Sequence, residues 1–152
     1  MSARDFSEVL SVAAHEAEVL GHSFIGPEHL LIAASQQVSP ATRAVLDHHD
    51  LHSHVLRTAV DAILGRELLP PARSATRQPS LRAQRALDRA QRALGESAIQ
   101  KSADVLSDAL LADDVAANGV VGTLIERRGI VRSRLHAELL ASRNLDRPSN
   151  ER

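Results

Sequence analysis

The residues best suited to chemistry stand in the stretch GHSFIGPEHLL, residues 21 to 31. This stretch places two histidines, His22 and His29, and one carboxylate, Glu28, around a Gly-Pro corner. Imidazole and carboxylate groups serve in general acid–base catalysis and in metal binding. They also serve structure, because an imidazole can bridge backbone groups of adjacent turns and a carboxylate suits the positive end of a helix. We expect both histidines to be structural, and both interpretations stay open for Glu28.

A second group of histidines lies in the run DHHDLHSH. His48 and His52 have the i, i+4 spacing that helical metal sites use, and His49 and His54 stand beside them. Such spacing forms a site only if the residues share one helix. The pattern alone leaves that question open.

Nucleophilic and nucleotide chemistry lack their usual motifs in this chain. It has no cysteine, which excludes disulfides, thiolate metal sites and cysteine nucleophiles. It has no G-x-S-x-G sequence to expose a serine and no G-x-x-x-x-G-K-[ST] sequence to cradle phosphates. The paired carboxylates Asp113 and Asp114 suit the start of a helix. We therefore predict no catalytic residue, no cofactor and no enzymatic activity.

Four arginines form a basic stripe along one predicted helix. Their spacing of three, four and three residues stacks them on one face. Such a stripe could bind phosphates or an acidic partner, or it could be a solvated face paired with acids at Glu96, Asp104, Asp108, Asp113 and Asp114. With no aromatic residue between the arginines to stack on bases, the sequence disfavours nucleic acid as a ligand. The stripe consists of Arg82, Arg85, Arg89 and Arg92.

Composition predicts one all-α domain. A chain of 152 residues can form a single core and bury roughly 68 to 70% of its unfolded surface. Its apolar fraction is 43%, with two Phe and no Tyr or Trp, so the core must come from aliphatic side chains and alanine, which favour close-packed helices. The net charge of −1 gives no general attraction to nucleic acid, and no apolar run could cross a membrane. We expect a cytoplasmic protein.

The apolar pattern predicts eight helices. Apolar residues recur at three- and four-residue spacing from Phe6 to Leu20, where Gly21 can end the helix. Gly26-Pro27 and Ser39-Pro40 each begin another helix, because proline is tolerated in the first turn and serine caps it. Residues 66 to 80 contain three prolines and no periodicity, so we predict a connecting loop. The remaining helices are predicted at Leu51–Leu64, Leu81–Leu94, Ser102–Leu111, Asp114–Arg127 and Val131–Leu140.

The two halves of the chain repeat one another. Leu20, Gly21 and Ile25 correspond to Leu94, Gly95 and Ile99, and later Leu51 and Val60 correspond to Ile130 and Leu139. An internal repeat of this length predicts two pseudo-symmetric four-helix units, each covering the apolar face of the other.

On these residues the chain resembles the N-terminal domain of Clp unfoldases. Gly21-His22 and the run from Ile25 to Leu31 are similar to a signature that recurs once per half in that family. The second half keeps Leu94, Gly95 and Ile99 but has Ser102 and Ala103 where the first half has Glu28 and His29. The resemblance covers about residues 5 to 141. It implies a helical module that recognises substrates, docks adaptors or binds cyclic peptides for an ATP-driven unfoldase.

The resemblance also bears on the candidate sites. Glu28 stands at the position of the family's first binding acid, whose counterparts bind phosphorylated arginine in some members. Ser102 replaces the second acid, so at most one such site is expected here. Asp50 falls where the family has a helix-ending glycine, so the histidine run is expected to span a turn and to form no metal site.

These expectations combine into one prediction. We predict a single domain over residues 1–143, with repeats at about 5–65 and 81–142, a linker at 66–80 and a tail at 144–152. We predict a free-standing, non-enzymatic module that binds a Clp substrate, an adaptor, a Clp unfoldase or a cyclic peptide, and that modulates or decoys a Clp protease system. The alternative is a helical nucleic-acid-binding regulator that uses the basic stripe. The predicted peptide-binding residues are Glu28, Arg82, Arg85, Arg89 and Arg92.

Overall fold

A computed structural model describes residues 6–22, 24–64, 78–94, 102–112 and 119–145. The described residues are all-α, as the sequence predicts, and every helix among them is too short or too polar to span a lipid bilayer. They form α1 Ser7–Leu20, α2 Pro27–Ser35, α3 Pro40–His48, α4 Ser53–Leu64, α5 Leu81–Leu94, α6 Ser102–Ala112, α7 Val120–Arg127 and α8 Arg132–Leu145.

Local sequence signals set several helix ends. Gly21 ends α1 in the left-handed conformation with φ 77°, which glycine adopts without strain. Pro27 is the first residue of α2, where its missing N–H costs nothing. Ser39 precedes Pro40, and its hydroxyl accepts the backbone N–H of Thr42 at 3.4 Å. The predicted starts of these helices are therefore confirmed.

Two buried helices, α2 and α6, pack against each other at the centre of the molecule. All nine residues of α2 are buried, and α6 is buried from Ala103 to Leu111. A helix that is apolar on all sides belongs in a core rather than at a surface. The other helices cover this pair with aliphatic side chains and alanine, as the near absence of aromatic residues requires.

The repeat seen in the sequence is present in the structure. Helices α1 and α5 are each 14 residues long, and α3 packs on α8 as α4 packs on α7. Asp50 and Gly129 occupy equivalent corners after α3 and α7, and both have positive φ, 61° and 67°. The prediction of two pseudo-symmetric four-helix repeats is confirmed. Asp50 adopts a conformation that glycine holds at less cost.

Polar contacts join the two repeats as well as apolar ones. The backbone N–H of Ser39 donates to the buried carboxylate of Asp104 at 2.8 Å, so a side chain of the second repeat caps a helix of the first. The hydroxyls of Thr42 and Ser142 lie 3.2 Å apart. These bonds fix the packing of α3 against the second repeat.

Some predicted boundaries differ from the structure. The last helix extends to Leu145 rather than ending at Leu140, because its buried face continues through Ser142, a polar residue that the apolar pattern passes over. The fourth helix begins at Ser53 rather than Leu51. Residues 66–77 of the predicted linker, the first five residues of the predicted seventh helix (114–118) and residues 146–152 of the predicted tail lie outside the described residues.

Candidate functional site

The corner at the start of α2 is held by its two histidines. The backbone N–H of Gly26 donates to Nδ1 of His29 at 2.8 Å, so the ring proton of His29 lies on Nε2. That Nε2 donates to Nδ1 of His22, also at 2.8 Å. Both rings are buried. The contacts agree with the structural role expected of the histidines, since both nitrogens of His29 and Nδ1 of His22 are engaged in fixing the loop.

Glu28 lies beside this corner, in the first turn of α2. Its side chain is only 10% exposed, and the carboxylate folds back over Gly26, where an added Cβ would stand 2.8 Å from the carboxyl carbon. Nδ1 of His29 lies 3.8 Å from the carboxylate, but it accepts the Gly26 N–H and so offers no proton to it. Within the described part of the chain, no arginine or lysine forms an ion pair with Glu28.

Burial dominates the electrostatics of Glu28. Desolvation raises the pKa of its carboxyl above the usual 4.5, while a hydrogen bond from its own backbone N–H and the positive charge of Arg82 oppose that rise. The fold therefore holds a carboxylate that would gain from a donor supplied by a ligand.

The carboxylate faces a groove of about 430 Å³. The starts of α2, α5 and α7 meet there, and two large apolar side chains stand in it exposed, Phe24 at 56% and Leu81 at 68%. Exposed apolar groups gathered in a concave surface with a few polar groups are typical of a binding site. The groove is lined by Phe24, Gly26, Pro27, Glu28, Ser80, Leu81, Arg82, Arg85, Gly119, Val120 and Val121.

Backbone hydrogen bonds hold the two loops that form the groove. Ile25 donates its N–H to the carbonyl of Gln78 at 3.0 Å and accepts the N–H of Ser80 at 2.8 Å. The Ser80 hydroxyl then accepts the N–H of Ala83 at 3.2 Å and caps α5. The positions of Phe24 and Leu81 relative to each other are thereby set by main-chain contacts.

The structure brings three of the five predicted binding residues together. Glu28, Arg82 and Arg85 line the groove, whereas Arg89 and Arg92 lie farther along the same exposed face of α5. The opposite face of α5 is buried through alanines and Leu87. The stripe is therefore a continuous exposed extension of the groove.

Two of the acids expected near the stripe, Asp104 and Asp108, have contacts with other parts of the chain. Asp104 is buried against the N–H of Ser39, and Asp108 accepts from His136 at 2.7 Å. Among the described residues, Arg82, Arg85 and Arg92 form no ion pair. Each of these two acids thus has a contact outside α5, and the pairing of the stripe with nearby acids stays a prediction. Glu96, Asp113 and Asp114 lie outside the described residues.

Sequence reasoning missed the apolar part of the site. Phe24 and Leu81 were not among the predicted residues, although both are large apolar residues that stand outside a helical apolar face. Phe24 precedes α2 in a loop, and Leu81 begins α5 on the side away from its buried alanines. For Leu81, the available signal was an apolar residue that does not match the period of its helix. Phe24 lies in a loop and has no such signal.

The histidine run does not form a metal site in the described residues. Helix α3 ends at His48 and α4 begins at Ser53, so His48 and His52 lie on opposite sides of a turn. No group of three metal-binding side chains is found in the part of the chain that is described. His49 instead bonds to Glu138 at 2.8 Å and joins the two repeats.

The described residues thus form two four-helix repeats around a buried pair of central helices, with a histidine-held corner at the start of α2. The sequence model of the Clp repeat (R) N-terminal domain family matches residues 2–119. The chain belongs to this family, whose members are binding domains for substrates and adaptors of Clp unfoldases.

Two solved structures share the fold. The Hsp104 N-terminal domain from Candida albicans superposes with a TM-score of 0.64 at 15% sequence identity, covering 90% of this chain and 87% of that one. A chain from structural investigations of a malarial protein secretion system superposes with a TM-score of 0.67 at 16% identity, covering 97% of this chain and 98% of that one. None of the curated proteins matches the sequence significantly.

Proposed function

We propose that the protein is a non-enzymatic peptide- and protein-binding module of a Clp protease system, acting in the cytoplasm. Its binding residues would be Glu28 and the four arginines of the stripe, with Phe24 and Leu81 added from the structure. The observation that carries the proposal is the groove, where a buried carboxylate with no arginine or lysine partner among the described residues stands beside two exposed apolar side chains. Family membership supports a protein partner rather than a small-molecule substrate.

Binding would depend on apolar contact for affinity and on polar groups for orientation. Covering Phe24 and Leu81 with a ligand side chain would contribute roughly 1–2 kcal/mol each, since about half to two thirds of each is exposed. Glu28 would accept a hydrogen bond from a ligand N–H and so recover part of its desolvation cost. The groove is large enough for one or two side chains of a peptide rather than a folded surface.

The chain contains no phosphate-cradling loop, so within this sequence there is no motor to pull on a bound ligand. A module of this kind can compete for ligands without unfolding them. We therefore propose that it modulates or decoys a Clp unfoldase. The division into repeats at about 5–65 and 81–142, joined by a linker at 66–80, is part of this proposal.

Calorimetric titration tests the binding function. The protein would be titrated with an arginine-phosphorylated peptide, its unmodified counterpart and a Clp-directed cyclic peptide. Binding of any one should weaken in Leu81→Ser, which removes an apolar wall of the groove. The matched control is Val131→Ser, because Val131 is 59% exposed and is not part of the groove. If Val131→Ser weakens binding as much as Leu81→Ser does, the groove is not the site.

A competition assay tests the decoy role. Adding this protein should lower the capture of a shared ligand by the full Clp unfoldase in proportion to its concentration. Unchanged capture at saturating protein would reject a decoy while leaving the binding function intact.

A further inference from the structure

The groove and the basic stripe form one continuous surface with apolar groups at one end and positive charge along the rest. Phe24 and Leu81 stand in the groove, Arg82 and Arg85 lie at its edge, and the exposed face of α5 continues the positive charge to Arg92. Because a helix rises about 1.5 Å per residue, the stripe is roughly 15 Å long. An extended peptide covers that distance with about five residues.

Three of the four arginines on this surface, Arg82, Arg85 and Arg92, form no ion pair among the described residues. Asp88 is the one acid of α5, and its carboxylate accepts from Gln84 at 3.4 Å. Uncapped backbone N–H groups add further positive character, since α7 begins at the groove with Gly119 as its N-cap and no side-chain cap there.

We propose that the preferred ligand of this surface is an extended segment of a partner protein in which a large apolar side chain is followed by about five residues rich in Asp and Glu. The apolar side chain occupies the groove between Phe24 and Leu81, and the acidic residues run along α5 from Arg82 to Arg92. This inference rests on the proposed binding function and adds the chemistry of the partner.

A nucleic acid fits the same surface less well. Only two aromatic residues occur in the chain, and Phe6 is buried, which leaves Phe24 as the single aromatic residue able to stack on a base. The groove also places the Glu28 carboxylate beside the arginines, where it would repel a phosphate backbone. A peptide can place its own N–H groups against Glu28 and its acids beyond it.

Fluorescence anisotropy with labelled peptides tests the proposal on the full chain. One peptide carries Phe-Leu followed by five glutamates, and three others replace the glutamates by glutamines, replace them by lysines, or replace Phe-Leu by Ser-Gly. The acidic peptide with Phe-Leu should bind most tightly, and its affinity should fall as the salt concentration rises.

Charge reversal locates the contact. Arg85→Glu and Arg92→Glu should each weaken the acidic peptide about three- to tenfold. Arg134→Glu is the matched control, because it changes the net charge equally on the exposed surface of α8 and should have little effect. Equal loss in all three variants would show a general charge effect and overturn the proposal.

The outcomes separate the partner chemistry from the binding function. If the glutamine or lysine peptide binds as tightly as the acidic one and Leu81→Ser still weakens it, the acidic preference is wrong and the binding function stands. If the Ser-Gly peptide binds equally well, the apolar anchor is wrong. If a labelled single-stranded oligonucleotide binds and no peptide does, both proposals fail in favour of nucleic acid. If nothing binds, both fail.

Discussion

Replacing Glu28 with glutamine should make the protein more stable while weakening its ligand binding. The carboxylate is 10% exposed, receives its own backbone N–H, and has no arginine or lysine partner among the described residues. Glutamine has the same size, so the substitution leaves no cavity. It keeps an oxygen for the backbone N–H and removes the buried charge.

The size and sign of the effect follow from two opposing terms. A negative charge at the start of a helix contributes about 0.3–1 kcal/mol of stability, while leaving a buried charged group short of partners costs about 1–3 kcal/mol or more. The second term is larger, which agrees with the raised pKa of Glu28. The Gln variant should therefore be about 1 kcal/mol more stable at pH 7, or roughly 2–4 °C in Tm for a chain of this size.

The dependence on pH gives an independent check. Because the pKa of Glu28 is raised in the fold, the cost of its charge is present above the folded pKa and disappears as the pH falls through that value to the ordinary 4.5 and below. The advantage of Glu28→Gln should therefore be largest near neutral pH and should vanish near pH 4.

Urea unfolding of both proteins at pH 7 and pH 4 measures this difference. Glu18→Gln is the control, because Glu18 is exposed on α1 and its replacement should change stability by less than about 0.5 kcal/mol. A Gln variant that is less stable at pH 7 would refute the reasoning. It would show that Glu28 serves to stabilise the start of α2.

Three further predictions concern stability. Arg57→Ala removes both hydrogen bonds to the buried Glu16, each 2.8 Å long, and should destabilise the protein by about 1–3 kcal/mol, less than a fully buried pair because Arg57 is 36% exposed. The hydrogen bonds from Arg57 lower the pKa of Glu16, so this stability is present above pH 4.5 and should be lost in acid titration as the pH falls through the folded pKa. Asp50→Gly relieves a left-handed residue with φ 61° but removes exposed contacts to Arg128 and His52, so it should raise stability by no more than about 0.5–1 kcal/mol in thermal melts. Asp104→Ala leaves the buried N–H of Ser39 without a partner and should cost about 1.5–3 kcal/mol in urea unfolding.

Most of the fold could be predicted from the sequence because its signals are local. Gly21, Pro27 and Ser39 each determine a helix end through their own backbone or side-chain chemistry. The repeat could be recognised because corresponding leucines and glycines keep their spacing. The end of α8 could not be predicted, because its last buried turn contains Ser142, whose hydroxyl contacts that of Thr42 far away in the chain.

The charged residues of the candidate site could be predicted from the sequence, but its exposed apolar residues could not. Charged residues in a regular stripe or beside a Gly-Pro corner stand out in a sequence. Phe24 and Leu81 do not, because an exposed apolar residue is recognised only when the surrounding fold leaves it uncovered. The contacts of Asp104 and Asp108 could not be predicted for the same reason, since their partners Ser39 and His136 lie in distant parts of the chain.

The two repeats carry different residues at corresponding positions and contribute differently to the site. At the start of α2, His29 holds the corner and Glu28 faces the groove, whereas the second repeat has Ala103 and Ser102 at the corresponding positions. The polar side chains of α6 serve packing instead, as Asp104 does in capping α3. The groove itself combines both repeats.

Phe24 and Glu28 come from the first repeat, while Leu81 begins the second and Val121 lies deeper within it. Because α2 and α6 pack against each other, a separated half would expose the apolar side chains of its central helix. It would also lose one wall of the groove. The second repeat has Ser102 in place of the acid, yet the groove still needs this repeat. It supplies the arginines and, through Leu81 and Val121, part of the apolar wall.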